Sequence, residues 1–310
     1  MRMVDGFGDV RKIWMNGKLI DWHEAKVHVL SHGLHYGSGV FEGIRCYSTP
    51  RGSFVFRLTD HLRRMFRSAI PYRIKIPYSL DELRTAVIET IKANGLSSCY
   101  IRPIVFYGYH SLGVDPGECP VECVIATWPW GAYLGEDALV NGIRCTFSSW
   151  IKIHPKMLPV GAKATGQYIN SMLAGFDAKE KGFDEAILLD NEGYVAEGPG
   201  ENIFIVDDGV IHTPSLASAL PGITRDSVIK IAKDLGYEVV VRNITKGEVL
   251  IADEVFFTGT AAEVTPIREI DGIMIGDGKR GPVTEEIQHK FFRVVNAEEN
   301  AYMDWLEPVE

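Results

Sequence analysis

Closely spaced tight turns constrain this chain more than any other feature. Asn16-Gly17 stands between Ile13-Trp14-Met15 and Lys18-Leu19-Ile20, and Asn-Gly between short apolar runs is the strongest local signal for a two-residue β-hairpin. The second half repeats the pattern. Strand-length runs at 186–189, 194–196, 202–206 and 210–212 are linked through Asp190-Asn191-Glu192-Gly193 and Asp207-Asp208-Gly209. Such turns join antiparallel neighbours, whereas parallel strands need long crossovers. Isolated helices are set among these strands. Residues 60–70 carry the stripe Leu62, Met65, Phe66 and Ala69; residues 80–94 carry Leu83, Val87, Ile88 and Ile91 and end at Asn94-Gly95. A third helix at 225–235, with Val228, Ile231, Ala232 and Leu235 on one face, is expected to take Thr224 as its N-cap and Gly236 at its C-terminal end. Further strands are expected at 100–107, 121–127, 238–241 and 254–258. The glycine-rich stretch 27–47 reads as strands bending close to something. The sum predicts an α+β architecture rather than a doubly wound parallel sheet.

A chain of 310 residues is long enough for two domains. Trp128-Pro129-Trp130-Gly131, followed by small and acidic residues, marks the boundary: a first domain over 1–130, a linker over 131–141 and a second domain over 142–310. The formal net charge of −9 argues against nucleic acid as a partner, because phosphate backbones call for a basic surface. No apolar run approaches a membrane span, and the first ten residues lack the apolar core of a signal peptide, so a cytoplasmic protein is expected. Five cysteines without CxxC spacing read as reduced thiols and not as a metal site.

Four segments have the composition of a site. Leu220-Pro221-Gly222-Ile223-Thr224-Arg225 leads into a helix start, where exposed N–H groups and the positive dipole end can hold an anion. Thr258-Gly259-Thr260-Ala261-Ala262 is a second small-residue turn after a strand, and two such turns could clasp one phosphate. Lys163 sits among small residues in Gly161-Ala162-Lys163-Ala164-Thr165-Gly166; a buried lysine with a lowered pKa can act as a Schiff-base nucleophile. Glu197-Gly198-Pro199-Gly200-Glu201-Asn202 is a turn with two acids and two glycines, and a carboxylate there could pair with a protonated ring nitrogen. Taken singly, each has an ordinary structural reading: a helix cap, a surface lysine, a solvated turn.

Together with Ser31-His32-Gly33-Leu34-His35-Tyr36-Gly37, Val40-Phe41-Glu42-Gly43-Ile44-Arg45 and Tyr100-Ile101-Arg102-Pro103, these segments resemble the class IV, or fold-type IV, aminotransferases, in their order and from about residue 11 to 285. Within that class they look like the branched-chain enzymes. The resemblance implies a two-domain α+β fold of the D-amino acid aminotransferase type, pyridoxal 5′-phosphate (PLP) as cofactor, and amino-group exchange between L-leucine, L-isoleucine or L-valine and 2-oxoglutarate. It implies that Lys163 carries the cofactor covalently and later shuttles the proton, that Glu197 keeps the pyridine nitrogen protonated, and that Tyr168 bonds the ring hydroxyl. It places Arg64, Ile223, Thr224 and Thr260 on the phosphate, with Arg63 the neighbouring candidate for Arg64, and Leu220 on the ring face. For the substrate it implies Tyr100 with the Thr260-Ala261-Ala262 turn on the α-carboxylate, Arg102 on the distal carboxylate of glutamate, and Tyr36, Phe41, Gly43, Val114, Trp130 and Tyr133 around the side chain. D-amino acid enzymes of the same fold look different at 100–102, with Arg-x-His. The loop His110-Ser111-Leu112-Gly113-Val114-Asp115 departs from the family's Gly-x-Gly-Val, and Pro199 is a minor variation. In the family this loop closes a neighbouring subunit's site, which implies at least a homodimer, with a hexamer also open. The alternatives are a D-amino acid or (R)-amine transaminase or aminodeoxychorismate lyase on the same fold, and, from another class, a non-catalytic phosphate-binding protein.

Overall fold

The computed structural model describes residues 7–131 and 135–310. Its residues group into two compact units, but not into the consecutive halves expected above. One unit runs to Gly131 and also takes in Ala162–Gly166 and Val294–Glu310; the other comprises Ala132–Gly161 and Gln167–Arg293. Lys163 therefore packs with the first unit, although it lies beyond the expected boundary at 131–141.

The first unit is one antiparallel sheet with helices on it. β1 (Lys12–Met15) and β2 (Lys18–Asp21) form the expected hairpin. Asn16 and Gly17 both take positive φ, 50° and 88°, the backbone of the turn type that matches strand twist. The stretch read as bending strands opens instead with a short helix, α1 (His32–Tyr36), closed by Gly37 in the left-handed conformation. β3 (Gly39–Phe41), β4 (Ile44–Thr49) and β5 (Gly52–Phe56) follow. Next come α2 (Leu58–Ala69), α3 (Leu80–Ala93), β6 (Cys99–Tyr107) and β7 (Val121–Trp128). The sheet order is Leu306–Pro308, β5, β4, β6, β7, β1, β2, with β3 also on β6. Ser79 and Glu82 cap α3 reciprocally. Leu58, Leu62 and Met65 of α2 and Leu83, Val87 and Ile91 of α3 pack on Ile44, Ile101 and Ile125 of the sheet.

The second unit is a mixed sheet. It contains α4 (Glu136–Asn141), β8 (Ile143–Phe147), α5 (Tyr168–Glu180), β9 (Glu185–Leu189), β10 (Val195–Glu197), β11 (Asn202–Asp207) and β12 (Val210–Thr213). After these come α6 (Ile223–Asp234), β13 (Val239–Val241), α7 (Lys246–Ile251), β14 (Glu254–Gly259) and β15 (Glu263–Ile270). The order is β10-β9-β8-β15-β14-β11-β12-β13. β8 lies parallel to β9, and β12 parallel to β13; α5 and α6 are the crossovers those parallel pairs require. α6 starts two residues earlier than the sequence suggests: Gly222 is its N-cap and Thr224 lies in its first turn. A side chain at Gly222 would collide with Asn202 Oδ1, so the cap position must be bare. A final helix, α8 (Pro282–Val295), ends where the chain rejoins the first unit. Among the described residues no helix is long and apolar enough to cross a membrane. All five cysteines are buried free thiols.

Candidate active site

In the first unit the site is built on the break between β3 and β4. Glu42 N–H donates to the Pro103 carbonyl at 2.9 Å, and proline has no N–H to return, so the ladder stays open there. Glu42 is turned into the interior and fully buried. A buried carboxylate needs partners, and α2 supplies them. Beside its apolar stripe runs a buried polar one, His61, Arg64 and Ser68, at i, i+3 and i+7. Arg64 Nε and Nη2 donate to Glu42 Oε1 and Oε2 at 2.8 and 2.7 Å, a bidentate pairing. His61 Nδ1 lies 2.8 Å from Oε2. Burial would raise the Glu42 pKa; the charge and hydrogen bonds of Arg64, aided by His61, bring it instead to about 2. Burial pushes His61 down, so it serves as a neutral donor. Of the adjacent arginines, α2 buries Arg64 and leaves Arg63 exposed beside Asp60.

Glu42→Gln should destabilise the protein by about 3–5 kcal/mol, because Arg64 is left as an unpaired buried charge. The pH dependence has a definite sign. A carboxyl lowered from 4.5 to about 2 contributes stability that is complete above about pH 4.5 and fades as pH falls toward 2. Urea midpoints measured through that window check both points; a Gln variant with the wild-type midpoint at neutral pH would refute the pairing.

The same face of α2 fixes Lys163. Ser68 Oγ accepts from Lys163 N–H at 2.9 Å, Lys163 C=O accepts from Phe41 N–H at 3.0 Å, and Ala164 bridges antiparallel to Val40. Thr165 Oγ1 donates to the carbonyl of Gly37 at 2.7 Å. Residues 162–166 thus form a strap tied along β3, and the lysine side chain leaves from it. Its Nζ stands 5.1 Å from the centroid of the Phe41 ring. Desolvation first, then the Arg64 charge, lower its pKa from 10.5 to about 8, against the pull of Glu42. Such an amine is a nucleophile and proton carrier near neutral pH.

β6 presents Tyr100 and Arg102 on one face, two residues apart. Arg102 Nη2 donates to the Tyr100 hydroxyl at 3.2 Å, and its guanidinium lies over the Phe41 ring at 4.8 Å. Arg102 Nε is buried without an acceptor. Gly43 must be glycine, since a Cβ would collide with the Tyr100 hydroxyl. Trp130 meets Tyr100 edge-on at 4.5 Å. Lys163, Arg64, Phe41, Gly43, Tyr100, Arg102 and Trp130 are therefore one neighbourhood. Tyr36 instead donates to Leu112 C=O at 2.9 Å, in the loop that also carries the exposed Val114. Tyr133 lies outside the described residues.

In the second unit, Glu197 ends β10 and is buried. Its Oε2 accepts from Leu220 N–H at 2.9 Å and from Asn202 Nδ2 at 3.2 Å; its Oε1 pairs with the Lys152 ammonium. Asn202 also donates to Leu220 C=O at 3.0 Å. Asn202 pairs with Thr258 in the β11–β14 ladder, and Gly259 approaches Gly200 C=O. One asparagine thus gathers the Glu197 turn, the start of α6 and the 258–262 turn. At the α6 start the first intrahelical bond is Asp226 N–H to Gly222 C=O, so Ile223 and Thr224 N–H have no acceptor within the helix. Thr258 Oγ1 is buried without a partner. Arg225 turns away, donating to Pro214 C=O and Thr213 Oγ1. Glu42 and Ser68 in the first unit, and Lys152 and Asn202 in the second, brace these groups, and no sequence motif assigns them a role.

Residues 39–270 match the model of the family described as amino-transferase class IV. A branched-chain-amino-acid aminotransferase of Pseudomonas aeruginosa is 51% identical over 305 residues, covering 98% of both chains. The crystal structure of the Escherichia coli branched-chain amino acid aminotransferase superposes with a TM-score of 0.96 at 48% identity, over 97% of this chain and 100% of that one. The branched-chain amino acid aminotransferase of Thermobaculum terrenum, solved in its PLP holo-form, gives 0.91 at 36% identity, over 97% and 99%. A lysine of lowered proton affinity tied beside Tyr100 and Arg102, in a chain so closely matched from end to end, leaves one assignment: this protein belongs to the class IV aminotransferases.

Proposed function

We propose that Lys163 carries PLP and moves the proton at the substrate α-carbon, in an enzyme that exchanges the amino groups of L-leucine, L-isoleucine and L-valine with 2-oxoglutarate. The residues present fit that cofactor. Lys163 has the lowered proton affinity a carbonyl-capturing amine requires. Free helix-start N–H groups at Ile223 and Thr224, an unpartnered Thr258 hydroxyl and the Thr260 turn suit a phosphate. The buried Glu197 carboxylate suits a protonated pyridine nitrogen. When bound, PLP supplies an electron sink for the α-carbanion.

The remaining roles follow residue by residue. Arg64 neutralises phosphate, held in place by Glu42. Tyr168 bonds the ring hydroxyl and Leu220 covers the ring. Tyr100 and the N–H groups of Ala261 and Ala262 hold the α-carboxylate. Arg102 takes the distal carboxylate of glutamate and 2-oxoglutarate, which its unmatched Nε suits. Phe41, Trp130 and Tyr133 wall the apolar side chain, and Tyr36 and Val114, joined through the 110–115 loop, do so from a neighbouring copy. The minimum assembly is accordingly a homodimer, with a hexamer as the larger form, and the location is the cytoplasm; sedimentation of the purified protein tests the assembly.

The observation that carries this reading is the lowered Lys163 amine beside the Tyr100–Arg102 pair. A visible spectrum of the PLP-loaded protein tests it. A yellow band that bleaches with L-leucine is expected. Bleaching only with D-alanine or an amine would replace the substrate, and no band after incubation with PLP would overturn the reading. Arg102→Ala should lower kcat/KM for 2-oxoglutarate by ~10- to 100-fold, the worth of a charged hydrogen bond, and change that for L-leucine far less. Equal losses would refute the division of labour.

A further inference from the structure

Lys152 belongs to no motif, yet it is almost fully enclosed, its side chain 11% exposed. Long ammonium side chains are rarely buried unless a specific partner holds them. Here the partner is Glu197 Oε1. The backbone around Lys152 is clamped from both sides. Lys152 N–H donates to Leu189 C=O at 2.8 Å, at the end of β9. Asn170 of α5 accepts from Ile153 N–H at 3.2 Å and donates to Ile151 C=O at 2.9 Å. The lysine is thus aimed by β9 and α5. The titratable groups acting on it are Glu197 of β10 and Tyr168, the first residue of α5. Burial alone would drive the ammonium toward neutrality; the fields of Glu197 and Tyr168 outweigh burial and keep it charged.

We propose that Lys152 is a positioning residue that sets the protonation balance of the bound cofactor. It occupies one oxygen of Glu197 and fixes a positive charge between Glu197 and Tyr168. The inference rests on the assignment of Glu197 and Tyr168 to the PLP ring. Glu197 is then held by three donors, Leu220 N–H, Asn202 Nδ2 and Lys152 Nζ, and only the last carries charge. With PLP held in the proposed way, a fixed cation at Lys152 would disfavour added protons on the bound cofactor. It lowers the pH at which the visible band titrates.

The test is a pH titration of the visible band in the PLP-loaded enzyme, with kcat and KM for L-leucine measured alongside. Lys152→Gln keeps a hydrogen-bond donor to Glu197 and removes the charge. Its midpoint should rise by about one pH unit, the scale of one nearby charge in a partly buried site, with kcat falling more than KM changes. Lys152→Arg should return the midpoint to the wild-type value. If the Gln variant does not accumulate, Lys152→Met/Glu197→Gln, which leaves no buried carboxylate unpaired, is compared with Glu197→Gln alone, and the same rise is expected. An unshifted midpoint in the charge-free variant, or an Arg variant that titrates like Gln, overturns the proposal. Absence of the band from the wild-type protein would instead overturn the assignment of the cofactor itself.

Discussion

Replacing Lys163 with alanine should lower turnover of L-leucine by at least ~10⁴-fold while leaving a folded protein. A single positioned proton-transferring group supplies up to about 10⁴-fold, and in the proposed role the same amine would also make the covalent attachment. The lowered pKa shows what the first unit contributes. An amine at about 8 instead of 10.5 offers roughly 300-fold more neutral form at pH 7. That gain comes from burial and the nearby Arg64, itself locked by Glu42. The bonds that hold the strap, Lys163 N–H to Ser68 Oγ and Phe41 N–H to Lys163 C=O, are backbone contacts that alanine keeps. The folded state should therefore survive. A base whose pKa is lowered by folding binds fewer protons folded than unfolded between about pH 8 and 10.5, so its presence makes stability rise with pH across that window. Lys163→Ala should lose that rise. Steady-state rates, urea midpoints at pH 7 and 10, and a single-turnover assay with PLP-loaded protein read all of this. A variant that retains turnover within ~10-fold of wild type would remove Lys163 from the mechanism.

How much of this was legible follows from where each residue finds its partners. The Asn16-Gly17 hairpin was readable because the whole signal lies in neighbouring residues. α3 was readable because Leu83, Val87 and Ile91 carry its period in apolar side chains. α5 went unread because the face it buries is Ser171, Ala174 and Ala178, residues too small and too polar to mark a stripe. Propensity favours Thr224 as the cap, but Asn202 comes so close to position 222 that the cap there is glycine, a constraint carried by a residue far back along the chain. A similar reason places the strap at 162–166 with the first unit: its bonds to Gly37, Phe41 and Ser68, not its place in the chain. Of the proposed site residues, Lys163, Glu197 and both small-residue turns lie in local motifs that the family resemblance marks, although each taken singly reads as ordinary structure. Glu42 and Lys152 were not. A lone charged residue is by default a solvated one, and only its partner in space says otherwise. Glu42 had one local clue: Pro103 in a strand marks an interrupted ladder, and what lies opposite the gap is Glu42.

The second large effect expected is at Glu197. Glu197→Gln should lower kcat for L-leucine by ~100- to 1,000-fold, the usual cost of removing one fixed charge-stabilising contact, with a much smaller change in KM. The geometry explains why so small a substitution costs so much. Every direction around the carboxylate is donor-lined: Leu220 N–H and Asn202 Nδ2 on Oε2, Lys152 on Oε1. A glutamine in its place must set its own NH2 against a donor, whichever way the amide turns. Facing Lys152 it opposes an ammonium; facing Leu220 it strands a backbone N–H that also begins the turn into α6. Either way a buried donor goes unmatched, at about 1–3 kcal/mol, and stability falls together with activity. The two losses are separable. Glu197→Asp keeps the charge but shortens the reach by one methylene, so it should lose stability much as Gln does and retain more of kcat. Measuring kcat, KM and the urea midpoint for both variants distinguishes a carboxylate that acts by its charge from one that only braces the turn. If Asp and Gln lose kcat equally while their midpoints match wild type, the charge of Glu197 has no part in holding the ring proton; if Gln alone collapses kcat, the charge is the contribution, and the three donors around it exist to keep that charge in place.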